Sequence, residues 1–486
     1  MAVAIRKAHH PLYYDLAGIV GPASVSDDDF TLETYSRDTS PLPPNKQGIV
    51  VRPVNTDQVV DIVKLANVTK IPIVPSGGRA SFYGTPKGLH GKGIVVDMTR
   101  MNKMLKVDEA NLTATAEAGM TTAEFNTRLW DMGWDVHTAY MPWYPDTLGG
   151  QLAGFAGGGN GMEMASAGFN ATHIAGVKVV LPDASVVQTG SGAGSNIHNT
   201  MVYDRYPGNP DLTGIFVGDA GTFGIKVEAT YRLYKLAPHK VAGAHLFDSF
   251  EQAWDLFKEM SILEPLPYYH MVIIPPTEST KVHGATVKGI GVDKFIVMWC
   301  AKGNSEKEMN AKVEIIDEVM AKHNGVRGTG PAVEEWVQGT LTGRRVREMG
   351  AFGSMGTWTF FEYFVSRSQV LDCRNGTREF IYRRLKENGI TYQSHEGCIP
   401  SGANTWIITT IIFLRGEDKR AQQVVGELFA DATEFACSHG WYPDCHQGWG
   451  TRMMAKNWPK HHYEFMRKLK GAFDPNNIMN PGVWDL

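Results

Sequence analysis

Three glycine-dense stretches, and a handful of cationic and imidazole side chains near the C-terminus, are the parts of this sequence that could do chemistry. The first stretch is Val74-Pro75-Ser76-Gly77-Gly78-Arg79-Ala80-Ser81-Phe82-Tyr83-Gly84. Paired glycines admit positive φ, and successive N–H groups then point into one concavity that suits a pyrophosphate. Ser76 and Ser81 add hydroxyl donors. The second stretch, residues 145–161, holds seven glycines in 17 residues, among them Gly149, Gly150, Gly157 and Gly158, with Thr147 and Asn160 beside them. Such a run keeps backbone close to a flat ligand. The third, Asp211 to Ile225, carries Gly214, Gly218, Gly221 and Gly224. Each stretch alone also fits the ordinary turns of an α/β protein. None meets the G-x-G-x-x-G fingerprint that opens a helix and is followed ~20 residues on by an acid. An ordinary nicotinamide-dinucleotide site is therefore the weaker reading.

Arg452 is a fixed cation with paired donors, able to hold a carboxylate or a phenolate. Arg344, Arg345 and Arg347 form a second cationic run, which equally fits a solvated helix face. His446 titrates near neutrality and suits a general base; Tyr363, Tyr442, His270, Glu362 and Glu396 are further candidates. His395, Cys398, Cys437, His439, Cys445 and His446 crowd into about 50 residues. Paired-ligand spacing such as C-x-x-C is missing, so no metal is expected.

Positioning these groups requires a particular set of elements. Ile49 to Pro53 and Ile71 to Pro75 read as strands around a helix over Asn55 to Asn67, with Thr56 as its N-cap. Ile94 to Met98 and Leu112 to Ala116 are further strands, and Thr121 to Met132 a helix. Ala175 to Leu181 and Val186 to Thr189 form a hairpin around Pro182-Asp183, and Gly224 to Leu236 alternates as a strand. Beyond Pro238 the pattern changes. His245–Phe247, Tyr268–Ile274, Phe295–Cys300, Thr357–Val365 and Trp406–Leu414 read as strands. Phe250–Met260, Ser305–His323, Ala421–Ser438 and Lys460–Ala472 read as helices. Alternation puts Trp358, Phe360, Glu362 and Phe364 on one face of their strand and Thr359, Phe361 and Tyr363 on the other. The expected class is α+β: residues 1–238, 239–440 (an antiparallel sheet) and a C-terminal segment 441–486.

The 486 residues, 43% hydrophobic and 20% charged, have ample material for packed cores. Disordered, collagen-like and disulfide-scaffold classes are excluded. The net charge of -4 gives no basic excess for a nucleic-acid partner. Fifty-two glycines, about 11%, exceed the usual ~7%. Five cysteines, all in the second half, suggest reduced thiols and a cytoplasmic setting. Polar residues break every apolar run of the first 20 residues, and no stretch approaches the ~20 apolar residues of a membrane span.

The order of the motifs resembles the vanillyl-alcohol-oxidase and p-cresol-methylhydroxylase superfamily of FAD enzymes. The resemblance runs through Pro75-Ser76-Gly77-Gly78, Asp97 to Asn102, Ala116-Glu117-Ala118-Gly119, Thr147-Leu148-Gly149-Gly150 and Val180-Leu181-Pro182-Asp183. It continues through Asp211 to Gly214 and Gly221 to Ile225, and returns at Phe473-Asp474-Pro475-Asn476-Asn477-Ile478-Met479-Asn480-Pro481-Gly482. It implies a PCMH-type two-subdomain FAD-binding domain, a substrate (cap) domain, and a tail that returns to the first. By the same resemblance, Pro75, Ser76, Gly77, Gly78, Arg79, Ala80 and Ser81 cradle the FAD pyrophosphate. Thr147, Gly149 and Gly150 lie along the cofactor, and Gly157, Gly158 and Asn160 approach its ring or ribityl chain. Gly221 and Ile225 sit near the adenine, and Asn480 closes from the tail. Many members attach FAD through a histidine of the first loop; here Arg79 and Ala80 stand there, so that attachment is not expected.

The implied reaction is hydride transfer from an alcohol or benzylic C–H to flavin N5. An aromatic or phenolic substrate leads. Arg452 lies where the phenol-oxidising branch keeps a Tyr-Arg pair, although Thr451 replaces the tyrosine. A D-2-hydroxy-acid dehydrogenase is the alternative, and an electron-relaying subunit a third reading. The acceptor is left open between dioxygen, a cytochrome and an iron–sulfur or electron-transfer protein, and so is a homodimer.

Overall fold

In a computed structural model, the structure describes residues 9–37, 44–79, 91–137, 146–154, 170–194, 201–205, 210–275, 294–329, 357–401, 404–414, 418–443 and 449–486. The first half opens on a small sheet. Ile49–Val51, Ile94–Asp97 and Ile73–Ser76 run parallel in that order, with Val25–Ser26 antiparallel at the edge. Their short apolar runs are buried on both faces, as parallel strands require. The crossover between the first and third of these is the helix Thr56–Thr69, which buries Val59, Ile62, Val63 and Ala66. Its cap is Asn55, whose Oδ1 accepts from the Gln58 N–H at 2.9 Å; Thr56 is the first helical residue, one position from the expected cap.

A second, antiparallel sheet follows, ordered Met104–Asp108, Thr113–Glu117, Ile225–Arg232, Ile174–Val180 and Val186–Gln188. The last two are the expected hairpin around Pro182. Thr121 caps the helix Thr122–Asp131 through its side chain. A two-stranded ribbon, Trp134–Asp135 with Tyr234–Lys235, closes this half.

From His239 onward the chain builds one eight-stranded antiparallel sheet. Four helices, Phe250–Met260, Glu306–Lys322, Val370–Glu387 and Lys419–Ser438, cover one face. The largest hydrophobic core lies between them, with Trp299, Trp406, Phe361, Tyr363, Ile408 and Ile412 from the sheet. Trp406 meets Trp254 edge-on, with centroids 4.6 Å apart. The opposite face carries Ala244, Val272, Ile274, Ile296 and Met298. That face turns toward the first half: Lys302 Nζ lies 3.9 Å from Asp135 Oδ2 and 3.4 Å from His137 Nδ1.

The tail returns to the first sheet. The helix Lys460–Phe473 ends in the turn 474–479, and Met479 forms a parallel bridge with Ile73. The Ile73 N–H donates to Ile478 O at 2.6 Å and the Asn480 N–H to Ile73 O at 2.8 Å. The expected mixture of helices and sheets in an α+β fold is what the chain adopts.

Candidate active site

The C-terminal end of the strand Ile73–Ser76 is where the three glycine stretches meet. A Cβ built on Gly77 would lie 2.2 Å from Thr147 Oγ1 and 3.4 Å from Gly150 Cα, so only glycine lets the first and second stretches touch. Gly221, at φ +70°, stands against Pro75: a Cβ there would be 3.1 Å from Pro75 Cγ, which brings in the third stretch. Asn480 completes the ring, its Nδ2 donating to Ala220 O at 2.6 Å. Residues some 400 positions apart in sequence thus form one concavity, because the tail adds itself to the edge of the first sheet.

The polar atoms of this concavity are unusual. Ser76 Oγ, Thr222 Oγ1 and Asn480 Oδ1 are buried without a hydrogen-bond partner among the described residues. Leaving a buried polar atom unpaired costs ~1–3 kcal/mol, so a cluster of such atoms signals a ligand. The Ser76 and Thr222 hydroxyls can donate to the oxygens of an extended diphosphate, and Asn480 Oδ1 can accept from an N–H or O–H of the same cofactor, so the residues present fit FAD.

Two family models decide the family. The model of an FAD binding domain covers residues 48–190, and that of the C-terminal domain of FAD-linked oxidases covers residues 236–483. The chain belongs to the FAD-linked oxidase family. This oxidase-family chain is 25% identical over 478 residues to the glycolate oxidase subunit GlcD of Bacillus subtilis, across 96% of this chain and 95% of that protein. It is 24% identical over 460 residues to a D-lactate dehydrogenase of Anaerostipes hadrus, covering 89% of this chain and 88% of that one. Among solved structures, p-cresol methylhydroxylase superposes with a TM-score of 0.80 at 16% identity, covering 99% and 98% of the two chains. The fold is therefore of the PCMH type, and FAD is the family's cofactor.

Individual residues of this FAD-linked oxidase divide by position. Gly149 is held at the site by its N–H, which donates to Ala118 O at 2.7 Å. Arg79, at φ +56°, turns its guanidinium away, 3.8 Å above the Tyr35 ring and bonded to Thr34 O. Ile225 buries its side chain in the first-half core with Ile73 and Met479. Ala80, Ser81, Gly157, Gly158, Asn160, His446 and the arginines 344, 345 and 347 lie outside the described residues.

Among the candidate acid–base groups, Tyr363 is buried on the helix-covered face of the large sheet, in the core. Glu396 is on that face too, paired with Arg378 at 2.8 Å and accepting from the Tyr382 hydroxyl at 2.6 Å. Sheet thickness separates both from the face that looks toward the first half. Tyr442 is half exposed at the sheet edge, opposite Phe364, on a cavity of about 680 Å³ shared with Asp219, Trp458 and Trp484. Arg452 sits on the helix Trp449–Asn457, its Nε donating to Gly482 O at 3.1 Å beside the tail.

The face toward the first half holds a different set. Glu362 is 2% exposed, and its Oε1 accepts from Thr409 Oγ1 at 2.7 Å. His270, also buried, shares this face, as its pairing with Cys300 and that of Val272 with Met298 show. Asp146 was missed as a chemical group by the sequence reading. It directly precedes Thr147, its O accepts from the Thr122 N–H at 2.8 Å, and burial pushes its carboxyl up to about 7. The signal was available: an acid on the threshold of the second glycine stretch.

Proposed function

We propose that this chain is an FAD-dependent dehydrogenase of small 2-hydroxy acids. The reading rests foremost on the buried pair Glu362 and Thr409, on the sheet face turned to the first half. The names of the glycolate and D-lactate relatives point the same way, at low identity over nearly the full chain.

The functional division we propose follows the chain: residues 1–238 hold the cofactor, 239–440 supply the substrate floor, and 441–486 close the site. Pro75, Ser76, Gly77, Gly78, Thr147, Gly150, Gly221 and Asn480 would hold FAD. When bound, FAD supplies the acceptor for the substrate's hydride. Arg452 pairs with the substrate carboxylate, since a guanidinium offers two parallel donors to it. Glu362 binds and orients the 2-hydroxyl. Asp146 takes the hydroxyl proton onto its carboxylate, a role its position beside Thr147 and its titration near neutrality support. Electrons then pass to an acceptor, for which the subunit status of the Bacillus subtilis relative supports a partner protein.

An aromatic alcohol is the second reading, supported by Phe360 and Phe364 on the same face as Glu362. Thr451, fully buried where the phenol-oxidising branch carries tyrosine, counts against it. Anaerobic mixing of the flavin-loaded protein with D-lactate, glycolate, D-2-hydroxyglutarate and 4-hydroxybenzyl alcohol separates the two. Bleaching of the flavin band near ~450 nm by a hydroxy acid alone is expected. Bleaching by the benzyl alcohol alone would overturn the assignment.

A further inference from the structure

Lys470 is a buried cation outside the groups given a role above. It is 5% exposed, near the end of the helix Lys460–Phe473. Its ammonium has three N–H donors, and the structure gives it three acceptors: Asp474 Oδ2 at 2.7 Å, Met479 O at 2.7 Å and Thr222 O at 3.1 Å. Two of those acceptors belong to the C-terminal turn 474–479 and one to the third glycine stretch. Asp474 also receives the Ile478 N–H at 3.0 Å and the Met479 N–H at 2.8 Å, which shapes the turn that delivers Asn480. Met479 is bridged to Ile73, three residues before Ser76. Thr222 is itself one of the three buried hydroxyl or amide groups without a partner. One side chain therefore ties Thr222 to the turn that delivers Asn480 and, through Met479, to the strand that ends at Ser76.

We propose that Lys470 is a positioning residue through which docking of the C-terminal tail and binding of FAD become a single linked equilibrium. The inference rests on the cofactor site assigned above and adds a property to it. Coupling between two events is reciprocal. FAD therefore tightens the tail as much as the tail tightens FAD.

The first measurement needs no variant: amide hydrogen exchange of segment 474–482 in the wild-type protein, with FAD and after its removal. Protection at Ile478, Met479 and Asn480 should rise at least tenfold with FAD. Equal protection in both states overturns the proposal. The second is the neutral pair Lys470→Met with Asp474→Asn, which removes both buried charges together, because stripping only one leaves an uncompensated ion. At equal total FAD, its flavin occupancy is expected to correspond to at least tenfold weaker binding, with the melting temperature of the FAD-free protein little changed. Occupancy equal to wild type overturns the proposal. A fall in the FAD-free melting temperature with unaltered occupancy also overturns it, since that is what a purely structural ion pair would give. Should the pair fail to fold, the wild-type exchange result decides. Wild-type protein that takes up no FAD would refute the cofactor site itself, an outcome distinct from all of these.

Discussion

At the scale of single residues, chemistry follows from how far a titratable side chain is withdrawn from water. Asp146 is the clearest instance. Desolvation disfavours its charged form and lifts its pKa to about 7, well above its free value of ~3.9. A base must be deprotonated to act, so turnover should rise with pH through about 7 and level off above it. Asp146→Asn is expected to lower kcat about 10²–10⁴-fold and to erase that limb of the pH profile. A profile unchanged in the variant would assign the base elsewhere. The linkage has a definite sign. Because the folded pKa is raised, ionising Asp146 weakens the fold progressively from pH ~4 to about 7, and the Asn variant should lack that decline. Glu396 shows the opposite case: Arg378 and Tyr382 satisfy it fully, and it serves the core.

At the scale of elements, the glycine turns show why composition alone was informative. Gly77 works because a strand ends there and the helix Leu148–Gly154 begins against it. Gly77→Ala would place a methyl 2.2 Å from Thr147 Oγ1, closer than any real contact, and must push the two stretches apart. Purified Gly77→Ala protein is expected to carry at most a tenth of the wild-type flavin, read from its absorbance; full occupancy would refute the contact between the two loops. The helix Val370–Glu387 was not apparent in the sequence. Its buried positions Val370, Cys373, Thr377, Ile381 and Leu385 keep a helical spacing, yet Thr377 and Gly376 interrupt the apolar stripe. Gly376 is there because Trp441 lies over it, with a Cβ only 2.8 Å from the indole. The partner of the interruption is 65 residues downstream, beyond the reach of local patterning. Strands fared better, because alternation is a local signal. The faces read for Thr359 to Phe364 match the pairing of Glu362 with Thr409 and of Tyr363 with Ile408. What alternation could not say is which face the helices would cover, and that placed Tyr363 in the core and Glu362 toward the first half.

At the scale of the whole molecule, the cofactor concavity is assembled from both ends of the chain. A ligand that binds only this assembled form stabilises it by RT ln(1 + [L]/Kd), about 2.7 kcal/mol at a hundredfold excess over Kd. FAD added to flavin-free protein should therefore raise the melting temperature in a concentration-dependent way. Thermal melts across an FAD titration check this, and a melting temperature indifferent to FAD would mean that the concavity forms without regard to the ligand. Among the described residues no helix is long and apolar enough to cross a membrane.

The order of the glycine stretches, the strand and helix types around them and the FAD-family resemblance were all legible in the amino-acid sequence, because each rests on short-range rules: φ freedom at glycine, period-2 and period-3.6 patterning, and turn residues at fixed spacing. Tertiary structure alone decided that Gly77, Thr147, Gly221 and Asn480 come together, that Lys470 ties their segments to one another, and that Glu362 lies on the sheet face opposite Tyr363 and Glu396. Those outcomes depend on contacts between segments tens to hundreds of residues apart. Burial, which gives such contacts their energy and shifts the Asp146 carboxyl, exists only once the chain has closed on itself.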